Sequence, residues 1–113
     1  MLHYAKPLPS HEFLKDRFTY DSTNAERPLI GPSGRNIGRG LVNKHRSNYK
    51  VWQTTIGHNE FYTTSRLVWK LHHGTDPVGV IDHIDGNSSN NLIENLRDIS
   101  QQENIEAYHA SKK

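Results

Sequence analysis

At 113 residues and 13.0 kDa the chain has room for one small domain, and with 33% apolar residues and a mean hydropathy of −0.84 its core must be thin. The absence of cysteine excludes disulfides and thiolate zinc sites, and no stretch approaches the roughly 20 apolar residues of a membrane span. The net charge of +2 is unevenly spread: residues 27–59 contain no Asp or Glu but carry Arg27, Arg35, Arg39, Lys44, Arg46 and Lys50, whereas most acids follow them. One segment is thus suited to an anion and another to a cation.

In chain order, residues 1–26 read as an N-terminal arm with a short helix. Residues 1–13 lack a continuous apolar run, so no signal peptide and a cytoplasmic location are expected. Ser10 suits the cap of a helix reaching about Phe18, with Phe13, Leu14 and Phe18 as its apolar contacts. Residues 20–24 read as a turn. Residues 27–47 form a basic, Gly-rich loop, where Pro28, Gly31, Pro32, Gly34, Gly38 and Gly40 oppose long regular structure.

Residues 48–113 are the core of the expected α+β fold, one small domain overall. Residues 49–56 are rich in strand formers, with Lys50, Trp52, Thr54 and Ile56 on one face. Residues 57–60 turn the chain and 61–63 return it, giving a β-hairpin. Thr64 or Ser65 then suits the cap of a helix carrying Leu67, Val68 and Leu71, with Gly74 as its stop. Residues 78–83 read as a strand and residues 96–99 as its return. Ser100 and Glu103 fit a capping box, predicting a last helix over 101–110.

The richest chemistry follows the strand at 78–83. Asp82 and His83 are adjacent, and consecutive strand residues face opposite ways. That suits in-line displacement at phosphorus, where attacking water and leaving oxygen lie on opposite sides. A metal held by Asp82 can stabilise the leaving 3′ oxygen, and His83 can take a proton from water. Asn104, in the first turn of the last helix, is the candidate second ligand. Two protein ligands with oxygen donors suit Mg²⁺ or Mn²⁺ better than zinc. The Asn95 amide can donate and accept at once, which suits either clamping the loop or orienting His83.

The string IDHIDGNSSNNLIENLRDIS, followed by Glu103 and Asn104, resembles the HNH endonucleases, especially the small phage and intron-encoded (homing) members of that ββα-metal family. TSRLVWKLHHG and the Pro77-Val78-Gly79 after it resemble their usual lead-in, so the likeness covers about residues 49–105; LPSHEFLKDRFTYD is more distantly similar to short phage members. The resemblance implies a hairpin and helix followed by a ββα-metal motif. It also implies a Mg²⁺-type ion at Asp82 and Asn104, His83 as general base and Asn95 as the middle, structural residue. Double-stranded DNA is the implied substrate, cut to a 5′-phosphate and a 3′-hydroxyl, in host cytoplasm if the protein is phage-encoded. Asn104 stands where other branches have His, which argues against zinc, and Ser65 stands where many relatives carry His.

Arg35, Arg39, Lys44, Arg46 and Lys50, joined by Arg66 at the helix start, are the candidate DNA contacts. A homodimer or phage packaging proteins are the partners this reading allows. Its rivals are a non-catalytic DNA-binding module and an accessory subunit of a packaging machine. A calcium-loop reading of residues 81–92 fails, because Gly86 at position 6 puts Leu92 where an EF-hand needs Glu. Asn87, Ser88, Ser89, Asn90 and Asn91 are assigned to turn chemistry, with Asn91 a weak site candidate. His72 and His73 are expected to serve the helix end, His3, His11, His45 and His58 to lie on the surface, and Trp52 and Trp69 to pack.

Overall fold

The computed structural model describes residues 7–42, 50–57 and 60–99. The expected last helix, and with it Asn104, lies outside the described residues, as do Lys44 and Arg46. The chain runs α1 (His11–Arg17), β1 (Thr19–Tyr20), β2 (Leu29–Ile30), β3 (Asn36–Ile37), β4 (Arg39–Val42), β5 (Lys50–Ile56), β6 (Glu60–Thr63), α2 (Thr64–His73), β7 (Val80–His83) and β8 (Leu96–Ile99). The strands form three antiparallel sheets, β1-β2-β3, β4-β5-β6 and β7-β8. The α+β expectation therefore holds.

Ser10 caps α1 as its sequence predicts: its Oγ accepts from the Phe13 backbone N–H at 3.1 Å. Leu14 and Phe18 enter the core at 0% and 4% exposure, but Phe13 is 40% exposed and is not a core contact. It sits outside because Leu14 already occupies the buried side of this seven-residue helix. At the other end of the core, the Leu8 N–H donates to Asp76 Oδ2, and Asp76 pairs with Lys70 at 2.6 Å. These contacts tie the arm to the end of α2.

The basic Gly-rich segment carries more structure than expected. It contains β2, β3 and β4, and β4 pairs with β5 from Arg39↔Gln53 to Val42↔Lys50. Local composition opposes strand formation here, but a neighbouring strand supplies hydrogen bonds that composition does not reveal. Gly40 eases that pairing. A Cβ there would lie 3.1 Å from Trp52 Cζ2, so glycine lets the indole lie against β4.

Trp52, Thr54 and Ile56 form the buried face of β5, matching the predicted alternation. The cap of α2 differs from expectation. Thr63 occupies the cap position without a side-chain bond, while Thr64 is fully buried and shares a 2.9 Å hydroxyl bond with Thr54. Tertiary satisfaction of that hydroxyl wins over local capping. Gly74 ends the helix in the left-handed conformation, φ 83°. His11, expected on the surface, lies 3.0 Å from the Leu71 carbonyl through Nε2 and so bonds an exposed carbonyl of this last turn. His72 reaches the Val68 carbonyl and meets Tyr20 edge-on, and His73 stacks on Trp69.

One apolar cluster joins Leu8, Leu14 and Phe18 of the arm, Leu29, Ile56 and Tyr62 of the sheets, Leu67 and Val68 of α2, and Leu96 of β8. Each fully buried aliphatic side chain contributes roughly 1.5–3 kcal/mol relative to exposure. The β7-β8 hairpin is thus anchored from beneath by Leu96, Ile81 and Ile93.

Candidate active site

Strands β7 and β8 set the site through their register, which places Asp82 opposite Arg97 and His83 opposite Leu96. The bend into β7 is fixed by Asp98, whose two carboxylate oxygens accept from Val78 N–H and Gly79 N–H, each at 2.7 Å. Arg66 Nη1 lies 3.4 Å from the Gly79 carbonyl, also bracing this bend. Burial pushes the Arg66 guanidinium below its ordinary pKa, against the opposing pull of Asp76 and Asp98.

Arg97 reaches across the pair: its Nε donates to Asp82 Oδ2 at 2.8 Å, and its Nη2 lies 2.8 Å from the same oxygen as an ion pair. Asp82 Oδ1 has no hydrogen bond among the described residues. His83 is half-buried, and its Nε2 lies 3.0 Å from Asn91 Oδ1. Asp82 and His83, adjacent in sequence, are therefore held by different partners, one from β8 and one from the connecting loop.

That loop is an ordered run of side-chain turns. Asp85 Oδ1 accepts from Asn87 N–H at 2.8 Å, Asn87 Oδ1 from Ser89 N–H at 2.9 Å, and Asp85 Oδ2 from the Asn90 amide at 2.9 Å. The Asn90 amide and the Asn87 N–H, with help from Asn95, hold the Asp85 carboxyl below the usual aspartate range. Asn95 closes the loop at its base. Its Nδ2 donates to Asp85 Oδ1 and to the Asn90 carbonyl, both at 2.9 Å, and its Oδ1 accepts from Asp85 N–H at 3.0 Å. Of the two roles open to Asn95, the geometry matches the loop clamp. The amide that touches His83 belongs to Asn91.

Three more contacts dock the loop onto the rest of the fold. Ser88 Oγ donates to the Lys50 carbonyl, Trp52 Nε1 donates to Ser89 Oγ at 2.8 Å, and Ile93 N–H donates to the Tyr20 hydroxyl at 3.0 Å. Trp52 is 4% exposed and packs, as its position on the buried face of β5 predicts. The guanidinium of Arg27 lies 4.8 Å from its ring centre and Lys50 Nζ lies 5.7 Å away. Arg27 and Lys50 thus stand beside the loop, with Lys50 exposed. Arg35 and Arg39 are also exposed. Arg97 is the site residue that sequence reasoning missed, since its relation to Asp82 depends on strand register.

Among the described residues no three His, Asp or Glu side chains gather into a metal cage. The one donor that is described, a carboxylate oxygen, suits a hard divalent cation sharing its shell with water. Asp82 offers one carboxylate oxygen without a bond, on a side chain 20% exposed. Residues 62–105 match the family model described as HNH endonuclease. No curated protein and no solved structure matches the chain.

Proposed function

We propose, from the match of residues 62–105 to the HNH endonuclease family model, that this chain is a metal-dependent DNA endonuclease with His83 as its general base. The observation that carries the reading is the division of labour on β7: Asp82 is held from β8 and His83 from the loop, on a strand whose neighbouring side chains face opposite ways. Asp82 and Asn104 would hold one Mg²⁺ or Mn²⁺, which when bound stabilises charge on the leaving 3′ oxygen. His83 takes a proton from the attacking water on the other side of phosphorus. Asn95 keeps the loop closed so that the imidazole stays on its strand. Arg97 neutralises Asp82 until a stronger cation competes for it.

Substrate binding falls to the cations outside the hairpin. Arg35, Arg39 and Lys50, with Lys44 and Arg46, would contact phosphates, which position duplex DNA without reading its sequence. Arg66 is engaged with the bend before β7, so its contribution is to brace the site. One such site in one chain makes nicking the simplest activity. A phage origin and a homing or packaging role are the biological settings this reading fits.

The deciding experiment incubates purified protein with supercoiled plasmid and Mg²⁺ or Mn²⁺. Wild type is expected to nick, and His83→Ala to lose about 10²–10⁴-fold in rate while keeping its DNA affinity. Binding without nicking would replace the enzyme with a DNA-binding module. Nicking that requires added cell lysate would mark it as an accessory subunit.

A further inference from the structure

We infer that Asn91 is a positioning residue for His83, and that it transmits to the imidazole a placement set by the N-terminal loop around Ala25 and Glu26. This rests on His83 being the base. Asn91 is 1% exposed and is held at three points. Its backbone N–H donates to the Ala25 carbonyl at 2.8 Å, its Nδ2 donates to the Glu26 carbonyl at 3.4 Å, and its Oδ1 lies 3.0 Å from His83 Nε2.

The chemistry of each contact has only one direction. A carbonyl can only accept, so the Glu26 carbonyl turns the amide with Nδ2 toward itself and Oδ1 toward the ring. An amide oxygen can only accept, so His83 Nε2 must carry the hydrogen. The lone pair of the neutral imidazole is then on Nδ1, the nitrogen left to accept a proton from water. The Glu26 carbonyl, 65 residues before Asn91, thereby selects the tautomer of the base, while the Ala25 carbonyl holds the backbone that carries the amide. Those carbonyls lie outside the segment 62–105 that carries the family match.

A second feature makes the loop a firm anchor. Asn24 Oδ1 accepts from Arg27 N–H at 2.9 Å, and the Arg27 carbonyl accepts from Asn36 Nδ2 at 2.8 Å. Asp21 accepts from Thr23 and from Asn36 as well. The backbone at Ala25 and Glu26 is therefore bracketed on both sides.

The test has a readout that needs neither DNA nor metal. In ¹⁵N-labelled wild-type protein at a pH where the ring is neutral, long-range ¹H–¹⁵N spectra of His83 are expected to show a single Nε2–H form whose proton exchanges slowly with water. Asn91→Leu should give averaged tautomers and fast exchange, and lower kcat by roughly 10- to 100-fold with KM changed less than about threefold. An Nδ1–H form, or an averaged mixture, in wild type would overturn the inference, and this measurement needs no variant to fold. So would an Asn91→Leu protein with normal kcat. A wild type that never cuts DNA would instead defeat the nuclease reading and leave the tautomer measurement to decide Asn91 alone.

Discussion

Replacing Asn95 with alanine would remove the clamp at the base of the β7-β8 loop, and its cost can be built from the bonds it makes. Three are lost: one accepted from Asp85 N–H and two donated, to the Asp85 carboxylate and the Asn90 carbonyl. A neutral bond contributes about 1 kcal/mol net, and one to a charged group about 1.5–3 kcal/mol. The gross loss is therefore roughly 3.5–5 kcal/mol. Asp85 is exposed, so its carboxylate recovers much of its share from water. The Asn90 carbonyl is less able to do so, because Asn95 is 7% exposed and shields it. A net loss of about 2–3 kcal/mol is expected, equivalent to a fall in Tm of about 8–12 °C for a domain of this size. Urea unfolding followed by tryptophan emission is the appropriate assay, because Trp52 bonds to Ser89 in the same loop and reports its departure. Trp69→Phe would serve as the background, leaving one indole of the two. A loss below about 0.5 kcal/mol would show that the loop is ordered without the amide, and the clamp would have to be abandoned.

Arg97→Gln should free Asp82 Oδ2 and tighten Mn²⁺ binding by up to about fivefold, the equivalent of a partly exposed ion pair; calorimetry showing unchanged or weaker binding would mean that Arg97 does not compete with the ion. Neutralising Arg35, Arg39 and Arg46 together should reduce the salt slope of DNA binding by up to about 2.7, and an unaltered slope would remove that face from the interface. Asp85 and Asp21 are held below their ordinary values by hydrogen bonds; Asp76, where burial pushes the other way, is held low by Lys70, the Leu8 N–H and Arg66. Their stabilisation is complete above the unfolded aspartate value, about 3.9, and is lost as pH falls through the lower folded values. The urea midpoint should consequently drop between pH 5 and pH 2, and a flat profile would contradict these hydrogen bonds.

Elements governed by local pattern were readable from sequence. The hairpin of β5 and β6, the stop of α2 at Gly74, and strands near 80 and 96 all follow from alternation, helical spacing and turn residues. What escaped depended on partners remote in the chain. β4 forms because β5 is beside it, Thr64 gives up a cap because Thr54 lies within reach, and His11 finds a carbonyl that only the packing of α1 on α2 supplies. The site divides along the same line. Asp82, His83 and Asn95 stand in a recognisable string, whereas Arg97 becomes a site residue only when the register pairs it with Asp82. Asn91 sits in a run of turn-forming residues, and nothing in that run distinguishes the one whose side chain turns inward.

A further consequence concerns how little of the site is self-supporting. β7 and β8 are four residues each, and an isolated two-stranded ribbon of that length is at best marginal in water. Its loop is docked by Tyr20 from the arm and by Lys50 and Trp52 from the central sheet, while its apolar face rests on α2. Of these supports, α2 falls within residues 62–105, and Tyr20, Lys50 and Trp52 do not. The arm and β5 therefore have a physical task of their own. They fix a short hairpin firmly enough that an imidazole and a carboxylate, neighbours in sequence, keep separate orientations. A phosphate drawn to Lys50 would meet a residue whose carbonyl already holds the loop through Ser88, so binding there and loop placement would share the same short stretch of β5.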